Sequence, residues 1–187
     1  MDYVGCIIGA RRFRAEIMVA ESTMDVINGT EVRDAVALAT QDFFLRALAY
    51  LGGQDAFARP VNSLLDVHDI IVAGLSISSI KFLQKNIGIL RNPVFLKKAV
   101  GISLRMTHRK ATPNRVLTVT QGGRAWKFAG LMAKATDVFG NQHIAEQWFV
   151  EPAVGLDHHC PIDLLSTLPG SQLVEEMLNR IDYGVYC

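Results

Sequence analysis

Few residues in this chain combine the type and spacing that chemistry needs. The densest cluster is Asp157-His158-His159-Cys160, with His143 upstream. Imidazole, thiolate and carboxylate are zinc donors, but they must converge on one point. Adjacent histidines point in different directions, and no second pair stands at helical i, i+4 spacing, so loop histidines are the better account. Cys187 has the atoms of a nucleophile and no local partner to activate it. Gly122-Gly123 lacks the Lys-Ser or Lys-Thr that follows a phosphate-binding loop. Ser63, Ser166 and Ser171 sit in no Gly-x-Ser-x-Gly elbow. No catalytic set, metal-ligand set or cofactor fingerprint emerges. The chain reads as a binding protein rather than an enzyme, with no cofactor.

The residues that do suggest a ligand are basic. Between Asp69 and Asp137 there is no acid, and that interval carries a charge of +12. Residues 1–69 carry −4 and residues 137–187 carry −7, so a net charge of +1 hides a basic middle between acidic flanks. Sorting of this kind points to a polyanion for the middle and a basic partner for an acidic end. At the heart of the basic interval is Leu96–Lys110, LKKAVGISLRMTHRK. A Lys-rich apolar helix breaks at Gly101, where a sharp turn needs the positive φ that glycine adopts freely. Ile102 is placed to bury beneath the turn and Ser103 to cap a second helix. This is a helix-turn-helix pattern, whose second helix presents its N-terminal residues to the major groove. Arg105 and His108 are the candidates for base edges; Ser103, Arg109 and Lys110 suit phosphates. Three positions depart from the usual pattern: Lys97 stands where a small residue is common, Thr107 near where the second helix prefers an aliphatic residue, and Met106 is unusual beside it.

The rest of the chain must position that motif. A chain of 187 residues, half of them apolar, can bury a real core. Cys6, Cys160 and Cys187 are odd in number and show no CxxC spacing, which suits a reducing compartment. No run approaches the roughly 20 apolar residues of a membrane span. The apolar patch Val4–Ala10 precedes Arg11, Arg12 and Arg14, the wrong order for a secretory signal. A soluble, cytoplasmic protein is expected.

Almost nothing alternates with period two, so the expected fold is all-α, with about eight helices. Residues 1–30 read as a flexible arm or a family-specific extension. A helix over 31–51 is capped by Thr30, carries Val36, Phe43, Phe44, Ala47, Leu48 and Leu51 on one stripe, and ends at Gly52-Gly53. Residues 54–63, with Pro60, read as a linker. A short helix over Val67–Ala73 stops at Gly74. The next begins at Ser76 or Ser78, buries Ile77, Ile80, Leu83 and Ile87, and closes at Gly88. Asn92-Pro93 starts the first helix of the motif. After an extended crossing over Thr112–Thr120, a helix from Gln121 to Phe139 buries Phe128, Leu131, Met132, Ala135, Val138 and Phe139. Residues 142–149 follow with Ile144, Ala145, Trp148 and Phe149 on one face. Pro161 opens a short helix. Leu168-Pro169-Gly170 reads as a break, and a last helix over 171–183 buries Leu173, Val174, Met177, Leu178 and Ile181, with Gly184 as its cap.

The C-terminal part carries a family resemblance. Its residues are Ala135-x-x-Val138-Phe139-Gly140, Ala145-x-x-Trp148 and Pro152, then Pro161-x-Asp163-Leu164-Leu165-x-Thr167-x-x-Gly170. Val174-Glu175-x-x-Leu178-x-Arg180-Ile181-x-Tyr183-Gly184 completes the set. With Arg124-x-Trp126-x-Phe128-Ala129 and the more loosely matching Gly101–Lys110, the chain resembles the Xre-type antitoxins of RES–Xre toxin–antitoxin modules, related to the ParS and MbcA antitoxins. The resemblance covers about two thirds of the chain. It implies a Cro/repressor-like helix-turn-helix domain followed by a small helical toxin-binding domain. It divides the chain into an N-terminal extension over 1–60, a DNA-binding and dimerisation domain over 61–120 and a toxin-binding domain over 121–187. It implies a RES-domain, NAD-consuming toxin as partner, with its active site occluded through Trp148, Arg180, Tyr183, Gly184, Val185, Tyr186 and Cys187. It also implies operator DNA, autorepression, and a homodimer or a hetero-oligomer with the toxin. The alternative is a stand-alone helix-turn-helix transcriptional regulator with no toxin partner.

Overall fold

The computed structural model describes residues 43–57, 59–108 and 115–185. The arm over 1–30, the cap at Thr30, Val36, Arg109, Lys110, Pro113, Tyr186 and Cys187 lie outside the described residues. Within them, all regular secondary structure is helical: nine α-helices, three 3-10 turns and two isolated bridges, Ser76 to Val116 and Ala153 to His159.

The first described helix, α1 (43–50), buries Ala47 and Leu48, and Leu51 just beyond it. It ends where Gly52 and Gly53 take φ of 112° and 71°. The stretch after it is a packed connection rather than a free linker. Gln54 donates from Nε2 to the Val61 carbonyl at 2.7 Å and accepts the Val61 N–H at 2.8 Å. That pairing seats Val61 against Leu48 and Val67.

Helix α2 (Leu64–Ala73) starts three residues before the expected Val67 because Ser63 and Asp66 form a capping box. Ser76 caps α3 (Ile77–Asn86), whose buried residues include Ile77, Ile80 and Leu83. Gly88 does not close that helix: Ile87 is its C-cap, and Gly88 opens a 3-10 turn over Gly88–Arg91. In α4 (Pro93–Val100), Asn92 accepts the Val94 N–H at 2.9 Å and proline occupies the first turn, as expected. Helix α5 (Leu104–His108) follows. Residues 115–117 cross extended against 75–77, with Leu117 N–H donating to Leu75 at 2.8 Å and Ile77 N–H to Arg115 at 3.1 Å.

Helix α6 (Val119–Phe139) is the axis of the molecule. It begins two residues before the expected Gln121, through a second capping box between Thr118 and Gln121. A single apolar stripe was too narrow a description. Gly122, Ala125, Ala129, Ala133 and Ala135 are buried along with Phe128, Leu131 and Met132, so the helix is enclosed on several sides. Its small residues let α2, α4 and two later helices approach. Those are α7 (Gln142–Val150), capped by Asn141, and α9 (Leu168–Asp182), with the short α8 (Pro161–Leu164) between them.

Three C-terminal expectations are corrected. Leu168-Pro169-Gly170 is the first turn of α9, not a break: Thr167 accepts the Gly170 N–H at 3.1 Å, and proline is tolerated where its missing N–H has no helical partner. Ile144 and Leu173 are exposed rather than buried. Each sits at the edge of its apolar arc, one position beyond the residues that its neighbours cover. One continuous core still runs from Ala47 to Leu178, with Phe128 edge-on to Phe149 at 5.5 Å.

Candidate functional site

The helix-turn-helix is built as its residues require. Gly101 takes φ 81° and donates its N–H to the Lys97 carbonyl at 2.9 Å, ending α4. Ile102 is buried beneath the turn. The three departures have local explanations. Leu96, Ala99 and Val100 form the packing face of α4, which leaves Lys97 in solvent. Thr107 is buried in α5, but its hydroxyl is satisfied by the Leu104 carbonyl at 2.9 Å. Met106 and Leu104 pack half-buried against the core. Ser103 precedes α5, its carbonyl accepting the Met106 N–H at 2.9 Å. Ser103 and Arg105 face solvent. His108 is the last described residue of α5, so of the expected contact residues the structure shows Ser103 and Arg105 in solvent, as it shows Lys97, while Arg109 and Lys110 fall outside the described residues.

The turn is held from behind by α6. Arg124 donates from Nη2 to the Lys98 carbonyl and from Nε to the Ala99 carbonyl at 3.3 Å. Gln121 reaches the Gly101 carbonyl from Nε2 at 3.4 Å. These are the orphan carbonyls at the C-terminus of a helix, where a cation also meets the negative end of the dipole. Burial lowers the pKa of Arg124.

The basic middle divides by use. Lys98 meets Asp163 at 2.5 Å, Lys127 meets Glu175 at 2.5 Å, and Lys134 bonds Asn179. These contacts join the basic interval to the acidic C-terminal half. They are partly solvated and contribute register more than stability. Lys81, Lys85, Arg91, Lys97 and Arg105 remain exposed, and among the described residues none meets a carboxylate. Among the described residues of the basic interval, these five exposed cations all precede α6.

In the C-terminal half, α9 stops in a Schellman arrangement. Gly184 has φ 68°, its N–H donates to Ile181 at 3.1 Å, and the Val185 N–H reaches back to Arg180 at 2.9 Å. This turn projects Tyr183, 81% exposed, and Val185, 56% exposed, beside the exposed Arg180. Four of the expected residues, Arg180, Tyr183, Gly184 and Val185, thus share one end of one helix. Trp148 is elsewhere, half-buried on α7 with its ring 5.6 Å from Phe139 and 5.2 Å from Phe149. Sequence reasoning missed Leu173 and Val154 as surface residues. For Leu173 a signal existed, since it shares its helical face with Glu176 and Arg180.

The histidine cluster is a turn. Asp157 and His158 both have positive φ, and His159 Nδ1 lies 2.9 Å from the Leu156 carbonyl. Among the described residues, no three His, Cys, Asp or Glu side chains gather to hold a metal. No described helix is long and apolar enough to cross a membrane.

Comparison with known proteins places a likeness on the same end of the molecule. Residues 134–184 match the family model of the antitoxin Xre/MbcA/ParS C-terminal toxin-binding domain. Antitoxin Xre of Yersinia enterocolitica is 32% identical over 90 residues, 48% of this chain and 61% of the relative. Antitoxin Xre of Photorhabdus laumondii is 29% identical over 89 residues, 47% of this chain and 60% of the relative. Antitoxin Xre of Pseudomonas putida is 32% identical over 83 residues, 44% of this chain and 52% of the relative. The chain thus spans less than two thirds of the length of each of these curated relatives. The resemblance to Xre-type antitoxins read from the sequence holds, as does the all-α architecture of a helix-turn-helix followed by a helical C-terminal domain.

Proposed function

We propose that this chain, similar to Xre-type antitoxins, is itself an antitoxin that binds a RES-domain, NAD-consuming toxin in the cytoplasm and covers its active site. One observation carries the reading. The segment that matches a toxin-binding domain, 134–184, ends in a helix whose glycine turn projects Tyr183 and Val185 into solvent. Neutralisation is by occlusion and charge, not catalysis. A cleft that binds an anionic dinucleotide is basic, and the C-terminal segment of −7 complements it. Residues 121–187 serve the toxin, with Tyr186 and Cys187 extending the plug and Trp148 setting its frame. Residues 61–120 serve operator DNA and dimerisation, with Ser103, Arg105, His108, Arg109 and Lys110 at the contact and autorepression as the outcome.

The test is co-expression with the product of the adjacent gene, expected to be a RES-domain toxin. The wild-type chain restores growth and co-purifies with the toxin. A chain lacking 184–187 restores growth poorly and holds the toxin only weakly, yet melts as the wild type does, because the buried face of α9 ends at Ile181. Unrelieved toxicity in the presence of the wild-type chain refutes the antitoxin reading. A promoter shift with no co-purifying partner favours the stand-alone regulator.

A further inference from the structure

We infer that a toxin contact extends beyond the tail, onto a ridge made by the outer face of α9 and the Val154–Leu156 turn, with Leu173 and Val154 as its apolar anchors. This rests on the antitoxin role proposed above and says which surface performs it. Helix α9 buries Gly170, Ser171, Val174, Leu178 and Ile181. Outside that arc, Leu173, Glu176, Arg180 and Tyr183 follow at i, i+3, i+7 and i+10, all exposed, with Leu173 at the arc's edge. Leu173 is 51% exposed and Val154 is 69% exposed. The turn lies against the same helix: a Cβ on Gly155 would sit 2.6 Å from the sulfur of Met177, one helical turn after Leu173. Val154 therefore flanks the ridge rather than standing alone.

A single exposed aliphatic needs no explanation, but Leu173, Val154, Tyr183 and Val185 lie in one segment, on one helix face and the turns that adjoin it. Area argues for the toxin as the occupant. The aromatic side chains of the tail bury about 150–250 Å² each. Tyr183 and Tyr186 together fall short of the roughly 800 Å² per partner that a stable protein interface takes. The ridge adjoins the tail and supplies more. Its chemistry defines its seat on the toxin. Leu173 and Val154 need an apolar depression. Arg180, the only Lys or Arg in 137–187, needs a carboxylate, and Glu176 needs a cation. That is a mixed-charge, partly apolar rim beside a basic cleft, not the cleft itself.

The experiment titrates the purified RES-domain protein against the full chain and its variants, with self-association followed by sedimentation. Leu173→Glu and Val154→Asp each weaken toxin binding about tenfold, and the pair about a hundredfold, without lowering the melting temperature. Leu168→Glu, at a 71% exposed position in the first turn of α9 and off the ridge, leaves binding unchanged. A chain lacking 184–187 retains weak binding that Leu173→Glu removes. Two results overturn the inference while leaving the antitoxin role intact: ridge variants that bind toxin like the wild type, or ridge variants that lose only self-association. A wild-type chain that binds no RES-domain protein overturns both.

Discussion

The guanidinium of Arg124 lies directly beneath Gly101, close enough that a Cβ there would meet its Nη1 at 3.0 Å. From that position it donates to the carbonyls of Lys98 and Ala99, so α6, the helix that also carries the C-terminal half, closes the end of α4. Arg124→Leu should therefore loosen the turn that aims α5. We expect operator affinity to fall by about tenfold, the cost of unsatisfied buried carbonyls and a misplaced helix. Toxin affinity should hold. The slope of log affinity against log salt should also hold, because Arg124 is engaged with backbone and releases no counterion from phosphate. Arg124→Lys should recover only part of the loss, since an ammonium lacks the fork that reaches two carbonyls. A slope shallower by about 0.9 would show instead that Arg124 touches phosphate.

Trp148 separates packing from contact. Its ring packs tilted against Phe139 and edge-on to Phe149, so Trp148→Ala should lower the melting temperature and weaken toxin binding in proportion to the unfolded fraction. Loss of a large core aromatic costs about 3–5 kcal/mol, less at a half-buried site. Trp148→Phe should keep most of the stability and the binding. If Trp148→Phe keeps the melting temperature but abolishes toxin binding, the indole is itself a contact.

What could be read in the sequence follows from how local the physics is. Gly101, Ile102 and Asn92-Pro93 were legible because a positive φ, a buried residue under a turn and a proline in a first turn are properties of a few residues. The end of α9 at Gly184 was legible for the same reason. The enclosure of α6 was not, since Gly122, Ala129 and Ala133 announce close neighbours only when those neighbours are in place. The start of α9 was misplaced because Leu168-Pro169-Gly170 has the composition of a break, and only the Thr167 cap turns it into a first turn. Arg124 was visible as a family residue, but its two carbonyl partners lie 25 and 26 positions away in sequence, beyond any periodicity.

The start of α2 should respond to acid. The pKa of Asp66 is lowered, first by the Ser63 hydroxyl at 2.8 Å, then by the N–H groups of Asn62 at 3.0 Å and Ser63 at 2.9 Å. A carboxylate whose folded pKa is depressed stabilises the fold above its ordinary value, and the effect is lost as pH falls through the folded value. Asp66→Asn should thus melt below the wild type at neutral pH, and the gap should close under acid. An equal gap at pH 7 and in strong acid would mean that the charged form contributes nothing.

Gly170 and Gly123 are both helical glycines, and they should respond oppositely to alanine. Intrinsic propensity favours alanine by about 0.8–1.0 kcal/mol in a helix interior. At Gly123 a Cβ would meet nothing within 4 Å, so Gly123→Ala on α6 should be neutral or raise the melting temperature. At Gly170 a Cβ would lie 2.0 Å from the Leu164 carbonyl oxygen and 2.8 Å from its carbon. That obstacle is backbone, at the junction where α8 hands the chain to α9, and it cannot rotate away. Either α9 moves off α8, or the Thr167 cap opens. Overpacking of this kind costs about 1–3 kcal/mol and sometimes more, enough to outweigh the propensity gain. For a chain of this length each kcal/mol lowers the melting temperature by about 2–4 °C. Because the same displacement shifts Leu173, Arg180 and Tyr183, toxin affinity in Gly170→Ala should fall even at temperatures where the variant is fully folded. A Gly170→Ala chain that melts at or above the wild type would mean that the α8–α9 contact is looser than its geometry states.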